Sequence, residues 1–140
     1  MNLLSLVTDT DNITELLIKV IEFTQTRQKI LARNINNIDC PGFVPKDLAV
    51  KEFCDLLHNA INEHITNRRP VLSDSENIKF GISGNFDTKP LIDKYAKELL
   101  EENQDEYLAL QINKLLENSL NQRVAAELLR QKQEMISASE

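Results

Sequence analysis

Cys54 and His58 stand one helical step apart, at i and i+4, and a thiol beside an imidazole is the minimal pairing for nucleophilic catalysis. Asp55 and His64 lie near enough to add ligands if the same group held a metal instead. Neither chemistry is well supported. Cys54 falls in an apolar stripe with Phe53 and Leu57, where a buried, inert thiol is the usual outcome. The spacing of these four residues matches no recognised metal-ligand pattern. The three glycines, Gly42, Gly81 and Gly84, are scattered, so no phosphate-cradling loop is encoded. The acidic run Glu98, Glu101, Glu102, Asp105 and Glu106 reads as a solvated helix face, and Arg68-Arg69 is too short for a nucleic-acid patch. The residues therefore predict no catalytic site, no metal, no cofactor and no small-molecule substrate.

Composition points the same way. A net charge of −6 over 140 residues disfavours a dedicated nucleic-acid binder, which needs a basic footprint to displace counterions. Hydrophobic residues make up 41%, but aromatics only 5%, with no tryptophan, three glycines and four prolines. That balance favours long helices with Leu and Ile stripes over a turn-rich β-protein. The length suits one domain. No eighteen consecutive apolar residues occur, so no transmembrane span is expected. The start, MNLLSLVTDTDNITELL, lacks the basic segment and apolar core of a secretory signal. Cytosolic residence, or export without a cleaved signal, is the expectation. Cys40 and Cys54 are expected as free thiols.

The elements that position these residues follow from periodicity. The first ten residues are weakly patterned and read as a mobile arm. A helix is expected from Asp11 or Asn12, with Asn12 as N-cap and Glu15 completing a capping box. Leu17, Ile21, Thr24, Gln28, Leu31, Ile35 and Ile38 then alternate steps of four and three, the a/d repeat of a coiled-coil seam. Pro41-Gly42 must end it. Asp47 is a candidate cap for a shorter helix over about 49 to 66, with Val50, Phe53, Cys54, Leu57, Ala60 and Ile61 on its apolar face. Residues 67 to 90 read as irregular, with a short strand within 77 to 82 and a loop at Ser83-Gly84-Asn85. A helix from about 91 to 101 precedes a second seam on a helix from about 107 to 136: Leu108, Ile112, Leu115, Ser119, Gln122, Ala126, Leu129, Gln133 and Ile136.

The expected fold is mainly α, with long N- and C-terminal helices, coiled-coil-like seams, a shorter middle helix and an irregular middle region. Its single domain divides into an arm and helix (1–39), a Pro-Gly turn (40–48), a variable middle (49–104) and a C-terminal helix (105–140). Periodicity alone leaves two outcomes open. The seams close on each other as a hairpin, or neighbouring subunits complete them. Polar a and d residues lower stability but help choose register and partners, which suits ordered assembly.

The stretch from Arg27 to Phe43, RQKILARNINNIDCPGF, resembles the N-terminal signature of the flagellar rod and axial proteins, Leu-Ala-x-Asn-Ile-Ala-Asn-x-x-Thr-Pro-Gly-Tyr. It is closest to the proximal-rod branch, in which an Arg-Gln pair precedes the motif and an Asp-Leu pair follows it, as Arg27-Gln28 and Asp47-Leu48 do here. Residues 111–120, QINKLLENSL, and 124–136, VAAELLRQKQEMI, resemble the closing segment of the same family. Together the likeness covers about half of the chain. Cys40 stands for the usual threonine, Phe43 for tyrosine, Asn36 for alanine, and Gln122 where tyrosine is frequent. The family's Gly-Asn turn and Val-Asp-Leu helix entry are poorly kept over residues 103–108, which suggests an earlier start to the last helix.

The resemblance implies a non-enzymatic subunit of the bacterial flagellar basal-body rod, exported by the flagellar type III apparatus without a cleaved signal. Its partners would be other rod subunits and the membrane-ring and export-gate junction proteins. Its role would be to transmit torque and continue the export channel. The assembly interface would draw on Leu17, Ile21, Thr24, Arg27, Gln28, Leu31, Asn34, Ile35, Asn37, Pro41 and Gly42. In the C-terminal helix it would draw on Ile112, Leu115, Asn118, Ser119, Ala126 and Leu129. Such a subunit would gain order at its terminal helices on assembly. A soluble helical adaptor or chaperone-like binding protein, with seams closed on each other or on one client, is the alternative.

Overall fold

A computed structural model describes residues 3–67, 72–81 and 86–139, with side chains excepted at 3–12, 136 and 139. The expected loop at Ser83-Gly84-Asn85 and Arg68-Arg69 lie outside the described residues. The elements are α1 (Leu3–Asn36), β1 (Lys46–Asp47), α2 (Val50–Asn67), β2 (Ile78–Lys79), β3 (Asp87–Thr88), β4 (Leu91–Ile92), α3 (Lys94–Glu102) and α4 (Gln104–Ser139). The chain is mainly helical, with long terminal helices and a shorter middle one, as its periodicity requires.

Helix α1 begins at Leu3, earlier than the expected start at Asp11 or Asn12. No glycine or proline interrupts residues 3 to 36, so a helix started further back propagates through Asn12, which sits inside it and not at its start. At its other end α1 stops through side-chain competition for the backbone. Asn37 donates from its backbone N–H (3.1 Å) and from Nδ2 (2.8 Å) to the Arg33 carbonyl. Cys40–Phe43 then form a type II turn. Phe43 N–H donates to the Cys40 carbonyl (3.2 Å), Pro41 holds the second position, and Gly42 takes φ +78° at the third.

Asp47 does not cap α2. Its Oδ1 accepts from Leu48 N–H at 2.7 Å, while the first turn of α2 is closed by the Ala49 carbonyl, which accepts from Phe53 N–H at 3.0 Å. The carboxylate is drawn away by two cations described below. Residues 91 and 92, expected at the start of a helix, instead form β4, antiparallel to β1 with Lys46 opposite Ile92 and Asp47 opposite Leu91. Asp93 then caps α3, its Oδ1 accepting from Ala96 N–H at 3.0 Å. A single residue, Asn103, joins α3 to α4. Its N–H donates to the Leu99 carbonyl (2.7 Å), and its own carbonyl and Oδ1 accept from Tyr107 and Glu106 N–H (3.0 and 3.2 Å). That double cap starts α4 at Gln104, ahead of the start near 107 that periodicity suggests and in line with the altered family turn.

The middle of the chain is more ordered than its composition suggests. Four of the five phenylalanines meet in one cluster: Phe23 of α1 stacks on Phe53 of α2 with centroids 4.0 Å apart, and Phe80 and Phe86 close over Phe53. Ile78 and Leu48 complete this core. β2 pairs antiparallel with β3, which carries Phe80 and Phe86 to the same side of α2. A smaller core of Ala96, Leu99 and Tyr107 seats α3 on α4.

Candidate functional site

The two long helices pack on each other over much of their length, and their seam is the most elaborate polar construction in the molecule. Asn34, next to the end of α1, is buried and fully engaged. Its Nδ2 donates to the Lys46 carbonyl (2.7 Å) and to Gln111 Oε1 (2.9 Å), and its Oδ1 accepts from Lys46 N–H (3.2 Å). Tyr107 OH donates to the Asn34 carbonyl at 2.8 Å, satisfying one of the carbonyls that a helix end leaves open. Further back along α1, Asn118 Nδ2 donates to the Thr24 carbonyl (2.8 Å) and to Gln28 Oε1 (3.3 Å). Ser119 Oγ also donates to Gln28 Oε1, at 3.3 Å. Asn34 faces Gln111 and Thr24 faces Asn118, so α1 and α4 run antiparallel.

A charged group ties this seam to the middle of the chain. Arg27 forks onto Asp47, with Nε to Oδ1 at 2.8 Å and Nη2 to Oδ2 at 3.0 Å. Lys114 Nζ bridges Asp47 Oδ2 (2.9 Å) and Asp93 Oδ2 (2.7 Å). Two cations thus meet two carboxylates, one residue each from α1, β1, the cap of α3, and α4. Burial pushes the Asp47 carboxyl up, but Arg27 and then Lys114 outweigh it and hold the group below its ordinary value. Burial alone would lower the Lys114 ammonium, yet Asp93 and Asp47 raise it. Burial, with a smaller push from the Asp93 charge, takes the Tyr107 phenol up to about 12. Such a group cannot be exchanged piecemeal, since removing one partner strands another charge out of water.

The sequence-predicted interface residues divide sharply. Thr24, Arg27, Leu31, Asn34 and Asn118 are buried inside the chain itself. Leu17, Ile21, Gln28, Ile35, Asn37, Leu115, Ser119 and Leu129 are half-buried along the hairpin. Pro41, Gly42, Ile112 and Ala126 are exposed. The buried face of α4 is Tyr107, Gln111, Asn118 and Ala125, one residue before the expected Leu108, Ile112, Ser119 and Ala126. A one-residue offset turns a helix by about 100°. Gln111 Oε1 and Asn118 Nδ2 find partners on α1, although Gln111 Nε2 is buried without one, so both residues occupy the seam and the aliphatic residues turn outward.

That rotation exposes a row of large apolar side chains on α4: Ile112, Leu116, Leu120, Val124 and Leu128. Val124 and Leu128 also edge a groove of about 360 Å³ whose floor is Leu17 and Val20 of α1 and whose far wall is Phe53 and Leu57 of α2. A second hollow, of about 540 Å³, lies between the Pro-Gly turn and α3, lined by Cys40, Phe43 and Lys97.

Cys54 is exposed, not buried as its stripe suggested, because the inward face of α2 is Phe53 and Ala60 with Leu56 and Leu57 beside them. Cys40 is exposed as well, and both thiols are free. Among the described residues no three His, Cys, Asp or Glu side chains are grouped to hold a metal ion. Nor is any described helix long and apolar enough to cross a membrane.

Comparison with protein-family models, with curated proteins and with solved structures finds no match to this chain. Asp47, Asp93, Lys114, Tyr107 and Gln111 are the seam residues that periodicity missed. Asp47 carried a signal as half of the Asp-Leu pair after the turn, and Gln111 and Lys114 lie in the segment 111–120 that carries the resemblance.

Proposed function

We propose that the chain is a structural subunit of the bacterial flagellar rod, similar to flagellar basal-body rod protein B. It would be exported through the flagellar type III apparatus and assemble through its terminal helices with other rod subunits. What supports this reading is the meeting of the two segments that carry the resemblance. Asn34 of the N-terminal motif pairs with Gln111 of the C-terminal segment at 2.9 Å, and Arg27 of the first reaches Asp47 just beyond the Pro-Gly turn. The motif residues thus act mechanically, fixing the register of two long helices and the exit of the chain from α1. A rigid antiparallel helix pair is suited to stacking in a tube that carries torque.

The test is genetic and biochemical. Deleting the gene in the bacterium that encodes it should abolish swimming and leave basal bodies without a rod. A tagged copy should restore both and co-purify with basal bodies. Normal rods in the deletion strain would overturn the reading.

A second reading is favoured by one observation, the groove between α1, α2 and α4. Its apolar floor and helical walls suit a helical adaptor that holds one amphipathic client helix. Under that reading the protein stays monomeric in the cytosol and is absent from basal bodies.

A further inference from the structure

We propose that two copies of this chain associate through the outer row of α4, antiparallel and related by a two-fold axis at Leu120. This goes beyond the rod reading and does not depend on it. The row Ile112, Leu116, Leu120, Val124 and Leu128 repeats every four residues, so it forms one continuous ridge on the helix surface. Its exposure is highest in the middle, with Leu116, Leu120 and Val124 at 64%, 60% and 51%, and falls to 42% at both Ile112 and Leu128. A ridge of this kind is self-complementary. Rows spaced by four on the two helices run parallel to each other when the helices cross at about −50°, the commonest packing class. Leu120 then meets its own copy, Leu116 meets Val124 of the second copy, and Ile112 and Leu128 form the rim.

Charge and area support a second copy as the occupant. The whole chain carries −6, but with Lys114 turned into the seam the exposed charges of residues 112–128 are Glu117, Arg123 and Glu127, a net of −1. A two-fold at Leu120 sets Glu117 opposite Arg123 of the second copy. Two copies therefore approach here with less repulsion than the rest of the surface imposes, and with opposite charges facing across the axis. Five such side chains and their neighbours bury on the order of 1,000 Å² in total, the low end for a specific contact. The dimer is accordingly weak and forms only at raised concentration. Salt strengthens it, by screening the net charge of each copy.

Sedimentation from low micromolar to near-millimolar protein should show a monomer–dimer equilibrium that shifts toward dimer in salt. In a Cys40→Ser, Cys54→Ser background, Leu120→Cys should couple to itself with a short bis-maleimide. Leu116→Cys should couple most efficiently to Val124→Cys in a mixture of the two proteins. Leu116→Glu with Leu120→Glu should leave the helical circular-dichroism spectrum unchanged, since both sites are exposed, and abolish the dimer. A chain that stays monomeric throughout overturns the proposal, as does a dimer that survives the double substitution or does not couple at Leu120. None of those outcomes touches the rod reading, which is decided by incorporation into basal bodies.

Discussion

Asn34 donates to Gln111 across the hairpin at 2.9 Å, joining residues 77 apart in sequence, and its amide simultaneously pairs twice with the backbone of Lys46. One side chain thereby sets α1 against α4 and the post-turn segment against both. Replacing it with alanine strands Gln111 Oε1 in a buried place and the Lys46 N–H and carbonyl in a partly buried one. A buried polar group left without its partner costs about 1–3 kcal/mol. Asn34→Ala should therefore lower unfolding free energy in urea by about 3 kcal/mol. Asn34→Ala with Gln111→Leu should recover part of that loss, because the second change removes one stranded group. Additive losses in the double mutant would show that the two amides do not act as a pair.

Asp47 and Lys114 make the chain's stability depend on pH in acid. The carboxyl of Asp47 titrates below its ordinary value in the folded protein. Its contribution is complete above the unfolded pKa near 3.8, and is lost as pH falls through the folded value. Asp47→Asn should cost about 3 kcal/mol at neutral pH, since Arg27 and Lys114 lose their shared anion. It should also flatten the fall in urea midpoint below pH 4. An unchanged acid slope in that variant would assign the acid sensitivity to other carboxylates.

The contrast between these two sites and the seam expected from sequence shows what periodicity carries. Steps of four and three located both long helices and marked Thr24 and Leu31 as interior. They could not set the rotation of α4, because Ile112 and Gln111 are neighbours and a hydrophobic count always prefers the isoleucine. What decided the rotation was the supply of partners on α1 for Gln111 and Asn118, a three-dimensional property. The same holds for the middle of the chain. Phe53 lies on α2, well before Phe80 and Phe86. The sequence places a strand within 77–82, where β2 lies, but not β3, which is two residues long, too short for an alternating pattern to register. The Pro41-Gly42 turn was legible because its chemistry is local.

Gly42 sits at φ +78° with nothing within 4 Å of where a Cβ would be. A side chain there meets no neighbour, so the cost of Gly42→Ala is the left-handed backbone alone, about 1 kcal/mol. Gly42→Asn should cost less, since asparagine tolerates that region better. Thermal unfolding of the pair should rank them in that order. A loss well above the backbone cost would mean that the turn is packed more tightly than its open surroundings imply.

Tyr107 governs the alkaline side. Its phenol is buried, donates to the Asn34 carbonyl at 2.8 Å, and is pushed up to about 12 by burial and by the Asp93 charge. The sign follows from the raised folded value. Below pH 10, the ordinary value, the neutral phenol is present in both states and the contribution is complete. Between about 10 and 12 the unfolded chain ionises Tyr107 while the folded chain resists, so stability drains away as pH rises. Lys114, raised above 10.5, adds to the same limb, because its contribution too is lost on deprotonation. Tyr107→Phe should lose about 1 kcal/mol near neutrality through the unpaired Asn34 carbonyl, and should show a shallower fall in urea midpoint above pH 10. Spectrophotometric titration of a Tyr95→Phe protein, in which Tyr107 is the sole phenol, reads the same shift directly. A phenol that ionises at its ordinary value in that protein would mean that α3 and α4 part readily at Tyr107, and the hydrogen bond to the end of α1 would then hold nothing in place.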